Sequence, residues 1–237
     1  MGTSQSHTLK TGPNWSEAKR AITSIAKNTG ELNSNCKKLM HGFSNALSEN
    51  PRASGSLGHA GASVSKNFIT FIELTKRNRY SDILELLNVP NEKERLTKED
   101  FIEKVIVYVS GDHDSTPDDA AAIIAIEKLL NDAFTDCATP HDITEKLQNA
   151  SNDSIVEWII RFEVEYILEY CGEIFQSHIL DKSDDPERVI SEIRNWMYKE
   201  IDDKLGDQLQ PHDFTSPNGK RILDELTTDI LDIWKQS

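Results

Sequence analysis

Apolar residues recur every three or four positions along residues 66–237, which is the spacing of one face of an α-helix. The longest such run covers residues 155–175 and is apolar on nearly two sides, so we expect this helix to be central. The chain contains neither a period-two pattern around an Asn-Gly turn nor an alternation of strand and helix patterns. The sequence therefore predicts an all-α fold with a helical bundle-like domain.

Half of the eight prolines directly follow a residue that can cap a helix. These four pairs are Thr116-Pro117, Thr139-Pro140, Asp185-Pro186 and Ser216-Pro217. The capping side chain accepts a hydrogen bond from a free N–H of the first turn, and proline at the first helical position costs no helical hydrogen bond. We therefore predict that a helix begins at each pair.

The first 66 residues differ from the rest in charge and composition. They contain eight Lys or Arg, three Glu and seven of the eleven glycines. Their net charge is +5, and because the whole chain carries −14, residues 67–237 carry −19. Residues 15–27 and 32–47 have helical spacing, whereas the Gly/Ser-rich stretch 50–61 is typical of a flexible linker. We therefore predict a flexible basic arm with one or two short helices over 1–66 and an acidic all-helical domain over 67–237.

Hydropathy and cysteine content bear on the cellular location of the protein. No stretch approaches the roughly 20 apolar residues that span a bilayer, and the first ten residues lack the apolar core of a secretory signal. Cys36, Cys137 and Cys171 are odd in number and widely spaced, which argues against a disulfide framework. We expect a cytoplasmic protein.

Two acidic stretches resemble metal-binding loops. Asp112, His113 and Asp114 precede the Thr116 cap, and residues 181–192 place oxygen donors at positions 1, 3, 5 and 12 of a calcium-type loop. Position 6 of the second stretch is Pro186, however, where the sharp turn of that loop requires glycine. We interpret the first stretch as a solvated turn and the second as a helix start, and we predict no metal site.

Catalytic signatures are also weak. One cluster is close in sequence: Cys137, His141 and Asp142. A catalytic triad is defined by positions in space, so closeness in sequence is little evidence for one. The sequence has no nucleotide-binding glycine loop and no zinc or nucleophile-elbow motif. Aromatic residues at helical spacing, from Trp158 to Tyr170, are typical of a core or of a groove for a partner helix. We therefore predict no catalytic residue and no cofactor.

The N-terminal residues could be modified. Residues 1–6 match the myristoylation pattern, in which the acceptor is Gly2 and Ser6 is the polar residue. Once Met1 is removed, Gly2 offers an unhindered α-amino group with a pKa of about 7.7–8.0, so part of it is a neutral nucleophile at pH 7. On these residues alone, an unmodified start is the simpler interpretation.

The Met-Gly-Thr-Ser start, the basic Gly/Ser-containing segment, the helical order of the body and the Ile233-Trp234 ending together resemble QatB proteins, components of the Qat anti-phage defence system. The resemblance covers most of the chain. It implies a non-catalytic protein that acts with an ATPase, a QueC-like protein (QatC) and a TatD-like nuclease. It further implies that the QueC-like partner attaches a 7-deazaguanine group to Gly2, with Thr3 and Ser4 lying in the partner's cleft.

Other functions remain open at this point. The basic arm could contact nucleic acid phosphates, or the acidic body could mimic DNA, although we expect no direct nucleic acid binding. A hydrolase or nuclease would use Asp112, His113, Asp114 or the acidic residues of 181–192. Myristoylation of Gly2 would favour a membrane-associated protein, but one such chain anchors only marginally and an acidic body is repelled by anionic lipid, so we expect no membrane partner.

Overall fold

The computed structural model describes residues 12–49, 57–89, 96–111, 116–172, 178–210 and 212–236. These residues form α-helices and contain no strand, which confirms the all-α prediction. The helices are α1 (Pro13–Ala26), α2 (Leu32–Ser48), α3 (His59–Arg77), α4 (Tyr80–Leu86), α5 (Lys98–Ser110), α6 (Pro117–Ala133), α7 (Pro140–Gln148), α8 (Asn152–Tyr170), α9 (Pro186–Ile201), α10 (Asp207–Leu209) and α11 (Pro217–Lys235). A π-helical turn, Asp202–Gly206, joins α9 to α10.

The four predicted proline starts are confirmed. Helices α6, α7, α9 and α11 each begin with proline, and the side chain just before it accepts a hydrogen bond from a backbone N–H of the first turn. At Thr116 and Thr139 the acid three residues on, Asp119 or Asp142, also accepts from the amide of the capping residue. Such reciprocal bonds satisfy donors that a helix end leaves free.

Helix α8 lies at the centre, as its two-sided apolar pattern predicts. It packs against α3, α6 and α9, and most of its side chains are buried. The Trp158 ring lies against Phe68 and Phe134, and the Phe162 ring stacks on Tyr166. The aromatic residues Trp158, Phe162 and Tyr166 are therefore core side chains.

Helices α1 and α2, which were predicted within the basic arm, are confirmed as helices but are not free. They form an antiparallel pair that packs on α9 and α11. Gly42 allows the close approach, since a Cβ there would lie 2.7 Å from the Asn14 carbonyl oxygen and 2.9 Å from the Ala18 nitrogen. Trp15 is 2% and Phe43 1% exposed, and both belong to the core that also contains Trp234.

The structure thus differs from the sequence expectation of a flexible arm over 1–66. Both predicted helices have an apolar stripe, and that stripe is buried in the same core as the acidic body instead of facing water. The boundary expected at residue 66 falls inside α3 (His59–Arg77). Residues 1–11 and 50–56 of this segment lie outside the described residues.

Candidate functional site

The structure defines where the N-terminal segment joins the body. Helix α1 begins at Pro13, next to the end of α2, and the Asn14 side-chain amide donates a 2.8 Å hydrogen bond to Glu49. Trp15 follows directly and is buried, so the first turn of α1 is anchored. The predicted modification site Gly2 and the predicted partner contacts Thr3 and Ser4 lie outside the described residues.

The residues of the calcium-type loop have other roles. Asp185 caps α9 by accepting from the Arg188 amide, and its own amide donates to the Ser183 hydroxyl. Glu192 forms an ion pair with Arg188 one helical turn away. Within the described ranges, no three His, Cys, Asp or Glu residues converge as metal ligands would. The other candidate stretch, Asp112, His113 and Asp114, lies outside these ranges.

No hydrogen bond joins the side chains of the three described residues Cys137, His141 and Asp142, as a catalytic triad would require. Asp142 accepts hydrogen bonds from the Ala138 and Thr139 amides at the start of α7. The His141 ring makes an edge contact with Tyr80. Burial, followed by the nearby Asp136 carboxylate, raises the pKa of Cys137, so its thiol is held in the less reactive protonated form.

A buried polar cluster lies where α3, α6, α8 and α11 meet. The Tyr166 hydroxyl donates to Oδ1 of Asp118 and accepts from the Gly58 amide at 2.7 Å. The second oxygen of Asp118 accepts from the Ala60 amide at 2.8 Å. Asp118 is 4% exposed and Tyr166 is fully buried. Two side chains from other helices therefore satisfy two of the free amides at the start of α3, where the capping residue is glycine.

Glu163 is the most deeply buried acid of this cluster. It has no exposed surface, and its Oε2 accepts a 2.9 Å hydrogen bond from the Thr227 hydroxyl of α11. Its Oε1 has no hydrogen-bond partner. Burial is the main cause that raises the pKa of Glu163 to about 7, and the Asp118 carboxylate adds to it.

The pKa values of the other two titratable groups of the cluster are also raised. Burial raises the pKa of Asp118 against the opposing effect of the Tyr166 hydrogen bond. Burial, and then the negative charge of Asp118, raises the pKa of the Tyr166 hydroxyl. A protonated carboxyl group can donate as well as accept a hydrogen bond, so the hydrogen bonds of this cluster depend on which of its acids carries a proton.

Sequence reasoning missed this cluster. The sequence pattern gives Asp118 no role beyond the helix that starts at Thr116-Pro117, and it gives Tyr166 only a place in the aromatic run from Trp158 to Tyr170. One signal could have been used: Glu163 lies between Phe162 and Val164 inside the long run that is apolar on nearly two sides, where not every charged side chain can face water.

Comparison with known proteins gives no relative. No family model, curated protein or solved structure matches this chain. Within the part of the chain that the structure describes, no helix has the length and hydropathy needed to cross a bilayer.

A second charged cluster borders a cleft of about 370 Å³ between α6, α8 and α9. Glu165 is 7% exposed and pairs with Arg194 and, at 3.5 Å, with Lys128. Lys128 also contacts Glu169 at 2.5 Å. The rest of the cleft is lined by Glu187 and by four apolar side chains: Leu168, Ile179, Ile190 and Ile193. The four charged groups satisfy one another, so the arrangement links three helices.

Proposed function

We propose that this protein is a non-catalytic component of a bacterial anti-phage defence system of the Qat type, and that it is itself the substrate of a QueC-like partner. The partner would activate a 7-deazaguanine carboxyl group with ATP. The neutral amine of Gly2 would then attack the activated carbonyl carbon, lose a proton and displace the activating group, which leaves an amide. Thr3 and Ser4 would lie in the partner's cleft.

The observation that carries the proposal is the anchored start of α1. Trp15 is buried and Asn14 is bonded to Glu49, so the body offers a fixed base next to residues 1–11. Eleven residues span at most about 40 Å when fully extended. This reach is enough to carry a terminal amine into the active site of another protein.

The composition of the same segment supports the proposal. Among residues 2–11, Leu9 is the only large apolar side chain, so little in this segment favours burial against its own body. The segment contains no acid, and the amine would approach an anionic carboxyl substrate. The system's ATPase and its TatD-like nuclease are further proposed partners.

Mass spectrometry of the intact protein and of its N-terminal peptide tests this function. The protein is expressed alone and together with a QueC-like protein from the same gene neighbourhood. We expect an added mass on Gly2 only in the second case. Gly2→Ala should abolish the added mass, whereas Ser6→Ala should keep it, because Ser6 belongs to the myristoylation pattern and not to the proposed contacts.

Two results would contradict the proposal. An unmodified Gly2 in the presence of the QueC-like protein would remove the substrate role. An added mass of a fatty acyl chain that disappears in Ser6→Ala would replace it with myristoylation. The same spectra also show whether Gly2 is the N-terminal residue in the cell, on which the proposed chemistry depends.

A further inference from the structure

Two buried carboxyl groups, Glu163 and Asp118, lie close together without a cation. The groups that face Glu163 are Asp118 from α6, Tyr166 from its own helix and Thr227 from α11. Those that face Asp118 are Asp119, Tyr166 and the backbone amides at the start of α3. Among the described residues, no Lys, Arg or His forms an ion pair with either carboxyl group. Ionisation of both would therefore place two negative charges in a buried site.

The shortage of hydrogen-bond donors around Glu163 favours its protonated form. Only one of its two oxygens has a partner, the Thr227 hydroxyl, so the charged form lacks the several donors that a buried carboxylate needs. The pKa of Glu163, raised to about 7, is consistent with this arrangement. The Glu163 carboxyl group is therefore expected to gain and lose its proton near pH 7.

The cluster also joins the start of α3 to α11. Gly58 has a positive φ of 104° and donates its amide to Tyr166. A Cβ at Gly58 would lie 3.4 Å from the Cβ of Thr227, so the first residues of α3 lie directly against α11. Loss of the cluster would release the first turn of α3 from α6, α8 and α11 together.

We propose that Glu163 and Asp118 form a proton-controlled lock on the first turn of α3. With Glu163 protonated, the lock is closed: Thr227 bonds to Glu163, Tyr166 bonds to Asp118, and the Gly58 and Ala60 amides are held. When Glu163 gives its proton to solvent, repulsion from Asp118 and the missing hydrogen bonds to Oε1 favour opening of this turn. The lock does not depend on modification of Gly2, so the two proposals can fail separately.

Amide hydrogen exchange tests the lock. Exchange rates are divided by the intrinsic rates at each pH, which gives protection factors for residues 58–62. If Glu163 titrates near pH 7 in the closed state and near 4.5 in the open state, protection should fall about tenfold between pH 6 and pH 8. The fall should be absent in Glu163→Gln, which keeps the shape and an acceptor for Thr227. Glu157→Gln is the matched control, because Glu157 lies on the same helix but pairs with Arg161 at the surface.

A second variant should move the midpoint of the Glu163 titration in a defined direction. The Thr227 hydrogen bond lowers the pKa of Glu163, so Thr227→Val should raise it. The chemical shift of the Glu163 carboxyl carbon reports this midpoint directly. The pH at which the fall in protection of residues 58–62 levels off should rise with it, whereas under a stabilising contact without proton control the protection would not follow this titration.

Three outcomes would overturn the lock. The first is a constant protection of residues 58–62 from pH 6 to pH 8 in the unaltered protein. The second is a tenfold fall that persists in Glu163→Gln. The third is an equal fall at α7 amides, which would indicate global unfolding, because α7 contributes no residue to the cluster.

Discussion

The Tyr166 hydroxyl donates a hydrogen bond to Oδ1 of Asp118, and this bond joins α8 to the first turn of α6. The same oxygen of Tyr166 accepts from the Gly58 amide, and Asp118 accepts from the Ala60 amide. Helix α3 begins with glycine and has no side-chain cap of its own. Its cap is supplied by residues 48 positions apart in the chain, on two other helices.

Tyr166→Phe should therefore destabilise the protein. The variant keeps the stacked ring on Phe162 but leaves the Gly58 amide and one oxygen of Asp118 without their partner. A buried group that loses its partner costs about 1–3 kcal/mol, and we expect the free energy of unfolding to fall by this amount in urea. Tyr80→Phe is the control, since its ring contact with His141 is kept. Equal stability of the two variants would contradict a role for the Tyr166 bonds.

Gly42→Ala tests whether α1 and α2 belong to the core. The added Cβ would overlap the backbone of α1 at Asn14 and Ala18, which cannot move aside as a flexible side chain can. Overpacking of this kind costs about 1–3 kcal/mol. Lys38→Ala, an exposed change on the same helix, should stay within about 0.5 kcal/mol. If the pair were an independent arm, Gly42→Ala would leave the main unfolding transition unchanged.

The helices could be predicted because their signals are local. The bond between Thr116 and the Asp119 amide connects residues three positions apart, so the sequence motif already contains both partners. The same holds for Thr139 and Asp142. Apolar spacing of three and four adds the buried face, and no tertiary information is needed for either signal.

The packing of α1 and α2 and the buried cluster were harder to predict from the sequence. Gly/Ser content and positive charge favoured a mobile arm, yet Gly42 is the small residue that lets two backbones approach. The Glu163–Thr227 bond spans 64 positions and exists only once α8 and α11 are packed. The modification of Gly2 stays a prediction, because that residue lies outside the described part of the chain.

The ion pair of Arg194 with Glu165 should contribute more to stability than a surface pair. Arg194→Ala leaves the buried Glu165 with Lys128 at 3.5 Å as its cationic partner, and we expect a loss of about 1–3 kcal/mol. Arg188→Ala removes an i,i+4 pair with Glu192 on the same helix and should cost about 0.5 kcal/mol or less. Urea unfolding of both variants gives the comparison. A larger loss in Arg188→Ala would contradict the importance of burial at Glu165.

Stability should fall as the pH rises from about 4.5 to 7. The folded protein keeps the Glu163 proton up to a pKa of about 7, whereas the unfolded chain releases it near 4.5. Between these values the folded state binds more protons, so the contribution of Glu163 is fully present below the lower pKa and is lost as the pH passes the upper one. The shift corresponds to about 3 kcal/mol. The raised pKa of Asp118 acts in the same direction.

The comparison with Glu163→Gln isolates this contribution from the general repulsion of a chain with a net charge of −14. The surface acids Asp100, Asp142 and Asp213 have lowered pKa values. Their stabilising contributions are present above the unfolded pKa of about 3.8, so they do not change between pH 5 and pH 8. Unfolding in urea at pH 5, 6, 7 and 8 should therefore show a decline in the unaltered protein that is much smaller in Glu163→Gln. Parallel curves for the two proteins would mean that Glu163 is ionised throughout, with a partner that compensates its charge.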